Sequence, residues 1–321
     1  MQTGITDDQI REQIPHSLES TDFANLGKRY QGKVRDSYVK GDRRVLIASD
    51  RISAFDRVLT TIPFKGEVLT RMASFWFGLT SEIIANHVIE EPDPQVMVGR
   101  ELKIVPIEVV VRGYLTGSAW RDYEKGLAIS GIKLKKDLRK NQQFPEPILT
   151  PSTKESEGHD QPISREEILA QKIVPEETWL KIEKAAKGLF IAGTAHAASR
   201  GLLFVDTKYE FGLDPKGALV LADEIHTPDS SRYWYAASYS ERFSQGKDPE
   251  SLDKEFVRRW LMERGFMGEG EAPKFDDDFK VKIARRYIST YEELTGIPFT
   301  AKVGDAKARI EKNLKKHKLL S

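Results

Sequence analysis

The sequence predicts an α+β fold in two lobes, and three observations lead to that reading. Short apolar runs separated by turn residues dominate the first ~110 residues, with one or two helices among them, which is the pattern of a small antiparallel sheet. From about Gly113 the pattern changes to a long helical stretch over 175–200, two strands at 202–211 and 218–223, and a helical tail. The chain has 321 residues, 39% of them hydrophobic, which is enough for a real core and roughly two domains.

In the first lobe, residues 1–112, strands are expected at 29–38 and 43–49, joined by Lys40-Gly41-Asp42, and again at 57–62. An amphipathic helix is expected over 67–85, after Gly66. Residues 101–111 (ELKIVPIEVVV) read as a further strand in which Pro106 marks an edge or a bulge. The larger second lobe, residues 113–321, opens with a short helix from Ser118 to Lys125. Residues 137–165, rich in Pro, Ser, Thr, Asn and Gln, read as a long loop, and loops of that length are usually functional or disordered. The helix over 175–200 has Pro175 in its first turn, Glu176 and Glu177 near its positive end, and Gly201 after its last turn. Helices over 251–264, 276–295 and 301–316 close the chain.

Bulk chemistry removes several function classes. With 50 basic and 49 acidic residues the net charge is +1, which argues against broad nucleic-acid binding. The absence of cysteine excludes disulfides, thiolate zinc sites and a cysteine nucleophile. The polar start MQTGITDDQIREQIPHSL lacks a secretory pattern, and no apolar run approaches the roughly 18 residues of a membrane span. A soluble cytoplasmic protein with neither membrane nor nucleic-acid partners is expected.

The stretch LFVDTKYEFG (Leu203 to Gly212) is the centre of the expected site. Alternation along a strand puts Val205, Thr207, Tyr209 and Phe211 on one face and Asp206, Lys208 and Glu210 on the other. The turn Asp214-Pro215-Lys216-Gly217 fits type I. A register that pairs Leu213 with Ala218 sets Asp223 opposite Lys208 and diagonal to Glu210. Two carboxylates so placed can share a hard cation such as Mg²⁺. Taken alone, the hairpin is equally a solvated face with a Lys–Asp pair. The following ADEIHTPDSSRYW (Ala222 to Trp234) favours a site, because it adds Asp223, Glu224, His226, Asp229, two serines and Arg232 at the strand end.

Three other segments carry candidate groups. QGKVRDSY places Gly32, Lys33 and Arg35 on or beside a strand pair, where backbone N–H groups and cations can meet a phosphate. It is neither a Walker A loop nor GxGxxG, and an ordinary charged edge strand reads the same way. SDRISAFD (Ser49 to Asp56) holds five polar groups, more than a capped turn requires; Ser53 and Asp56 are its candidates for substrate contact. VVVRGYLTGSAW (Val109 to Trp120) runs a strand into Arg112-Gly113 and then Gly117-Ser118 at a helix start, an arrangement that suits an anion or simple helix capping.

GKVRD, SDRISAFD, VVVRGYLTGS, VDTKYEFG and ADEIHTPDSSRYW, in that order, together resemble the SAICAR synthetase family, and SLDKEFVRRWL resembles its later segment. The resemblance implies a SAICAR-synthase-like fold: a small antiparallel-sheet N-terminal lobe similar to that of protein kinases, which binds ATP, and a larger α+β lobe for substrate and metal. It implies an ATP-dependent ligase that joins L-aspartate to the carboxylate of carboxyaminoimidazole ribonucleotide (CAIR) in de novo purine biosynthesis, with ATP and Mg²⁺ as cofactors. Carried over by residue, Gly32, Lys33, Val34 and Arg35 match the ATP-phosphate segment, and backbone near Leu102 to Ile104 is the expected adenine hinge. Glu210 and Asp223 match the Mg²⁺ carboxylates. Arg112, Ser118, Asp206 and Arg232 match substrate-contacting positions, with Asp206 and Lys208 as the catalytic candidates. Lys154, His159 and Asp160 match a segment that closes on the nucleotide, and Lys254 and Arg258 match later substrate contacts. The His226-Thr227 stretch departs from shorter members by one residue.

Two rival classes fit parts of this pattern. A phosphotransferase is weakened by the lack of HRDxxxxN and DFG strings. A non-catalytic nucleotide-binding module does not need Arg112, Ser118 and Arg232. His16, His87, His196 and His317 have no ligand-like spacing and read as structural, and His226 stays open. Phe75, Trp76 and Phe77 read as core, and the basic C-terminal KARIEKNLKKHKLL as a solvated helix face.

Overall fold

The computed structural model describes residues 4–154, 160–252 and 254–321. The chain forms two compact units that interleave along the sequence: Met1–Phe75, Val88–Glu101 and Asp253–Ser321 in one, Trp76–His87 and Leu102–Leu252 in the other. The sequence reading drew a single boundary at 112/113; the terminal helices group with the first unit.

The first unit is built on five antiparallel strands. β1 (Lys28–Gln31), β2 (Arg35–Lys40) and β3 (Arg43–Ala48) form a meander, and a separate ribbon pairs β4 (Arg51–Ala54) with β5 (Arg57–Thr61). β6 (Val88–Asp93) and β7 (Val96–Arg100) complete the main sheet in the order β1-β2-β3-β7-β6. The expected strand 29–38 is interrupted at 32–34 by a tight turn, and Gly41 supplies the left-handed residue (φ 64°) of the next one. β6 and β7 are additions to the sequence reading. Their reversal is fixed by the Asp93 side chain, which accepts from the Gln95 backbone N–H at 2.9 Å. Tyr38, Val45, Ile47, Val96 and Val98 project from the sheet onto Ala306, Ile310 and Leu314. The last three recur at i, i+4 and i+8 on the C-terminal helix (Ala306–Lys316), so one stripe of this basic helix is core.

The helix Lys65–Leu79 starts in a close backbone approach. The buried Asp50 carboxylate accepts from the backbone N–H groups of Leu18 (2.6 Å) and Gly66 (2.8 Å). Burial pushes its pKa up to about 6, against the pull of those N–H groups, Lys65 and Arg309. A Cβ on Gly66 would lie 2.3 Å from the Ala48 carbonyl oxygen and 2.6 Å from Gln95 Nε2. The helix ends at Leu79, short of the expected residue 85.

The second unit carries six strands: β8 (Lys103–Tyr114), β9 (Gln143–Leu149), β10 (Ser152–Thr153), β11 (Leu202–Leu213), β12 (Leu219–Ala222) and β13 (Ser231–Tyr235). β8 pairs with β11, β9 and β10, and β11 pairs also with β12 and β13. The β8–β11 register shifts between Glu210 and Gly212, opposite Glu108 and Ile104, so Pro106 falls in a bulge. The expected loop over 137–165 contains β9, β10 and the start of a short helix (Arg165–Ala170). Prolines at 145 and 147 are tolerated in β9 because, among the described residues, it pairs with β8 alone. The long helix Glu176–Ser199 buries Trp179, Ile182, Ala186, Leu189 and Phe190, and Phe190 stacks on Phe204 of β11 at 4.9 Å.

Gly66→Ala should destabilise the protein by roughly 2–4 kcal/mol, since the Ala48 backbone it would meet cannot rotate away. Urea unfolding measures this; a midpoint equal to that of the wild type would mean the helix start can shift at no cost.

Candidate functional site

The Asp214–Gly217 turn is type I, with the Gly217 N–H donating to the Asp214 carbonyl at 2.9 Å. Gly217 is left-handed (φ 81°), and the Asp214 N–H then bonds the Ala218 carbonyl at 3.0 Å. Gly217 is therefore one extra residue, the bulge that follows a type I hairpin turn. It moves the register by one: Leu213 pairs with Leu219 and Glu210 with Ala222. The expected pairing of Lys208 with Asp223 is thus corrected. β12 ends at Ala222, and Asp223 turns out of the ladder in a left-handed conformation (φ 63°). From there its carboxylate still acts on both Glu210 and Lys208.

Lys208 Nζ donates to Glu108 at 2.6 Å, and Glu108 lies directly across β8 from Glu210. Lys154 Nζ ion-pairs with Glu210. Burial first, then Asp223, raises the Glu210 pKa, against the pull of Lys154 and Lys208. For Lys208, burial lowers the pKa, but Glu108, Glu210 and Asp223 outweigh it and the net shift is upward. Among the described residues no group of three or more His, Asp or Glu forms a metal cage. Burial and the nearby Asp223 both disfavour the charged Glu210, and this pair of carboxylates suits a Mg²⁺ ion that takes its other ligands from phosphate and water. Glu108 was missed from sequence because it sits inside an apolar run, and its role appears only through cross-strand pairing.

Four residues along β11, Asp206 pairs in register with Arg112 of β8 and Arg232 of β13. Its Oδ2 accepts from Arg112 at 3.1 Å and from Arg232 at 2.6 Å. Arg112 also donates to Thr150 Oγ1 (2.8 Å) and Ser118 Oγ (3.2 Å). Burial lowers the Arg112 pKa and Arg232 adds to this, while Asp206 opposes both. Two guanidiniums sharing one carboxylate retain a net positive charge. The helix Gly117–Glu124 begins beside them with no side-chain cap, because the Thr116 hydroxyl donates instead to Asn141 Oδ1 at 2.8 Å. Gly117 is left-handed (φ 60°), and a Cβ there would sit 2.6 Å from the Arg232 guanidinium nitrogens. This end of the strand has the charge and the N–H groups of an anion site.

In the first unit, Gly32, Lys33, Val34 and Arg35 form the β1–β2 turn, closed by the Gly32 N–H on the Arg35 carbonyl at 2.8 Å. The nearly fully buried Arg51 supports it from below, donating to the carbonyls of Gly32 (2.9 Å) and Lys33 (3.1 Å) and pairing with buried Asp36 at 2.9 Å. Ser49 bonds the Val34 carbonyl through its N–H and its hydroxyl. Lys33 ion-pairs with Asp56, which stands with Phe55 in a left-handed two-residue turn (φ 60° and 51°). Ser53 pairs with Val58 on the same ribbon. SDRISAFD includes Arg51 among its five polar groups, but nothing in the sequence distinguishes a buried, fully bonded arginine from a solvated one, and Asp36 was not singled out.

Leu102 is buried against Val220 and Ala222, and Ile104 pairs with Gly212. Asp160 is exposed, and His159 lies outside the described residues. Lys254 and Arg258, at the start of and within the helix Glu255–Met262, group with the first unit; Arg258 pairs with Glu255 at 3.5 Å.

Residues 28–274 match the model of the SAICAR synthetase family. A relative in Bacteroides fragilis, phosphoribosylaminoimidazole-succinocarboxamide synthase, is 48% identical over 307 residues, 93% of this chain and 98% of its own. The putative phosphoribosylaminoimidazole-succinocarboxamide synthase 2 of Mesorhizobium japonicum is 47% identical over 290 residues, 88% of this chain and 93% of its own. SAICAR-synthase from Saccharomyces cerevisiae, solved in complex with SAICAR, superposes with a TM-score of 0.78 at 34% identity, over 89% of this chain and all of the yeast one. A type-2 SAICAR synthetase in complex with ADP gives 0.66 at 26% identity, over 85% of this chain and 100% of its own. The chain belongs to the SAICAR synthetase family. No helix among the described residues is long and apolar enough to cross a membrane.

Beneath β11, the fully buried His226 takes up Tyr209 Oη on Nε2 at 2.6 Å, with Trp76 and Phe204 edge-on to its ring. Burial, with a smaller push from His196, lowers its pKa to about 3, and burial drives the Tyr209 hydroxyl well up. Both are therefore neutral, and His226 is core. A folded value below the unfolded ~6.5 gives stability that is present above pH ~6.5 and is lost as the pH falls toward 3. His226→Phe should flatten the decline of stability below pH ~6.5 by up to about 1.4 kcal/mol per pH unit. Urea midpoints measured across that range test it, and an undiminished slope would mean the histidine is protonated in the fold.

Proposed function

We propose that the chain joins L-aspartate to the carboxylate of CAIR, consuming ATP and releasing SAICAR, ADP and phosphate, as a step of de novo purine biosynthesis. The observation that carries this reading is the division of β11 into a cationic end at Asp206, flanked by Arg112 and Arg232, and an acidic end at Glu210. The two ends are about 13 Å apart along the strand. That span suits a ribonucleotide held by its phosphate at the arginines, with its carboxylate toward the acidic end. The SAICAR and ADP carried by the two solved relatives support the same substrate classes here.

A carboxylate is a poor acyl donor, so the reaction is read as two steps. A CAIR carboxylate oxygen attacks the γ-phosphorus of ATP, the bond to ADP breaks, and an acyl phosphate forms. The aspartate amine then attacks the acyl carbon, phosphate departs with that oxygen, and the nitrogen gives up a proton. Mg²⁺, held by Glu210 and Asp223, supplies neutralisation of phosphate charge when bound. The protein's contribution is positioning and electrostatics. Lys33 and Arg35 offset charge on the phosphates, presented by the turn that Arg51 supports. Lys208, held by Glu108, directs a fixed ammonium to the acidic end. Arg112, Ser118 and Arg232 take the anionic end of the ribonucleotide.

ADP release from the purified protein should require CAIR and aspartate together and yield the amide. Release with a simple hydroxyl acceptor would favour the phosphotransferase, and no release under any condition would leave only a binding module. Glu210→Ala should lower turnover by roughly 100-fold or more while the circular dichroism spectrum is kept, which steady-state kinetics measures; full activity would remove Glu210 from the metal set.

A further inference from the structure

Five charged side chains, Glu108, Lys154, Lys208, Glu210 and Asp223, act on one another at the acidic end of β11, and they are not held equally. Glu108 and Lys208 form a cross-strand pair at 2.6 Å, anchored on the two central strands. Glu210, whose side chain is 11% exposed, is paired with Lys154, whose side chain is 37% exposed. Lys154 follows β10, and its backbone N–H is fixed to the Pro106 carbonyl at 3.1 Å, so the stem is anchored while the long side chain alone reaches the carboxylate. A carboxylate this buried is costly without a cation beside it. Three carboxylates against two ammoniums leave one negative charge among these five groups. A divalent cation in place of the Lys154 ammonium brings the set to neutrality and releases that ammonium toward an incoming phosphate.

We propose that Lys154 is a placeholder cation: it occupies Glu210 before the metal arrives and yields the carboxylate to it, while Glu108 keeps Lys208 out of the exchange. This rests on the reading of Glu210 as a metal carboxylate. It assigns Lys154 a role before nucleotide binds, which contact with the nucleotide alone does not require.

The test uses the full chain without nucleotide and Mn²⁺ as the probe, titrated by electron paramagnetic resonance. The Glu210-dependent component is taken as wild type minus Glu210→Gln. Lys154→Met should tighten that component roughly three- to tenfold, the strength of a partly exposed ion pair lost as a competitor. Lys154→Arg, which keeps the charge, should remain close to wild type and controls for folding. The tightening should persist at about 0.5 M KCl, where long-range attraction is screened but contact competition is not. Unchanged or weaker Mn²⁺ binding in Lys154→Met, or a gain that vanishes in salt, overturns the placeholder role. Mn²⁺ binding that is the same in Glu210→Gln as in wild type instead removes the metal assignment itself, and the two failures are told apart by which variant is silent.

Discussion

The pairing of β11 with β8 is the constraint from which the rest of the second unit follows. Side chains alternate strictly along β11: Val205, Thr207, Tyr209 and Phe211 are all at most 1% exposed, while Asp206, Lys208 and Glu210 share the opposite face. A slip of one residue would drive three charged groups into the core and lift four core residues out of it. The register is therefore held by the apolar face, and the position of every charge is a consequence. That alternation fixes the face each charge takes, and the observed register within it sets Arg112 against Asp206 and Glu108 against Glu210.

How much of this was legible in the sequence depends on whether a feature is local. The alternation in LFVDTKYEFG, the Pro106 bulge, the helix over 175–200 and the ordered motifs are local, and they gave the α+β class and the family. The β11–β12 register was not recovered, because Asp-Pro-Lys-Gly is compatible with a turn that ends at Gly217 and with one in which Gly217 is an added bulge residue. Only the Asp214–Ala218 bond separates the two. Glu108 was hidden for a different reason. A single glutamate in an apolar strand gains meaning only from a partner 100 residues away. β9 and β10 looked like loop because prolines and polar residues are what edge strands tolerate.

The same electrostatic logic recurs in the first unit. Arg51 and Asp36 are both almost wholly buried, and each is satisfied: the guanidinium by two turn carbonyls and a carboxylate, the carboxylate by two cations and the Thr21 N–H at 2.6 Å. Breaking such a pair leaves an uncompensated buried charge, so the Gly32–Arg35 turn is fixed by a contact that is hard to lose one partner at a time. The candidate phosphate-binding backbone is thus set by its support, and its own sequence need only be permissive. Phe55 and Asp56 show a related cost. A left-handed phenylalanine is disfavoured, and here it accompanies the turn that holds Asp56 on Lys33.

Charge balance also separates the ligase reading from a general nucleotide-binding one. A nucleotide-binding module needs carboxylates for a metal, and Glu210 and Asp223 would meet that need. It has no use for a second, cationic centre four residues along the same strand, where Arg112 is stripped of water and has its pKa lowered by burial and by Arg232. Two arginines held close against their mutual repulsion suit an anionic substrate group. Because both centres are built on one strand at a fixed spacing, a molecule that spans them has its reactive end placed by its anionic end. Positioning of this kind converts binding energy at one end of a substrate into rate at the other.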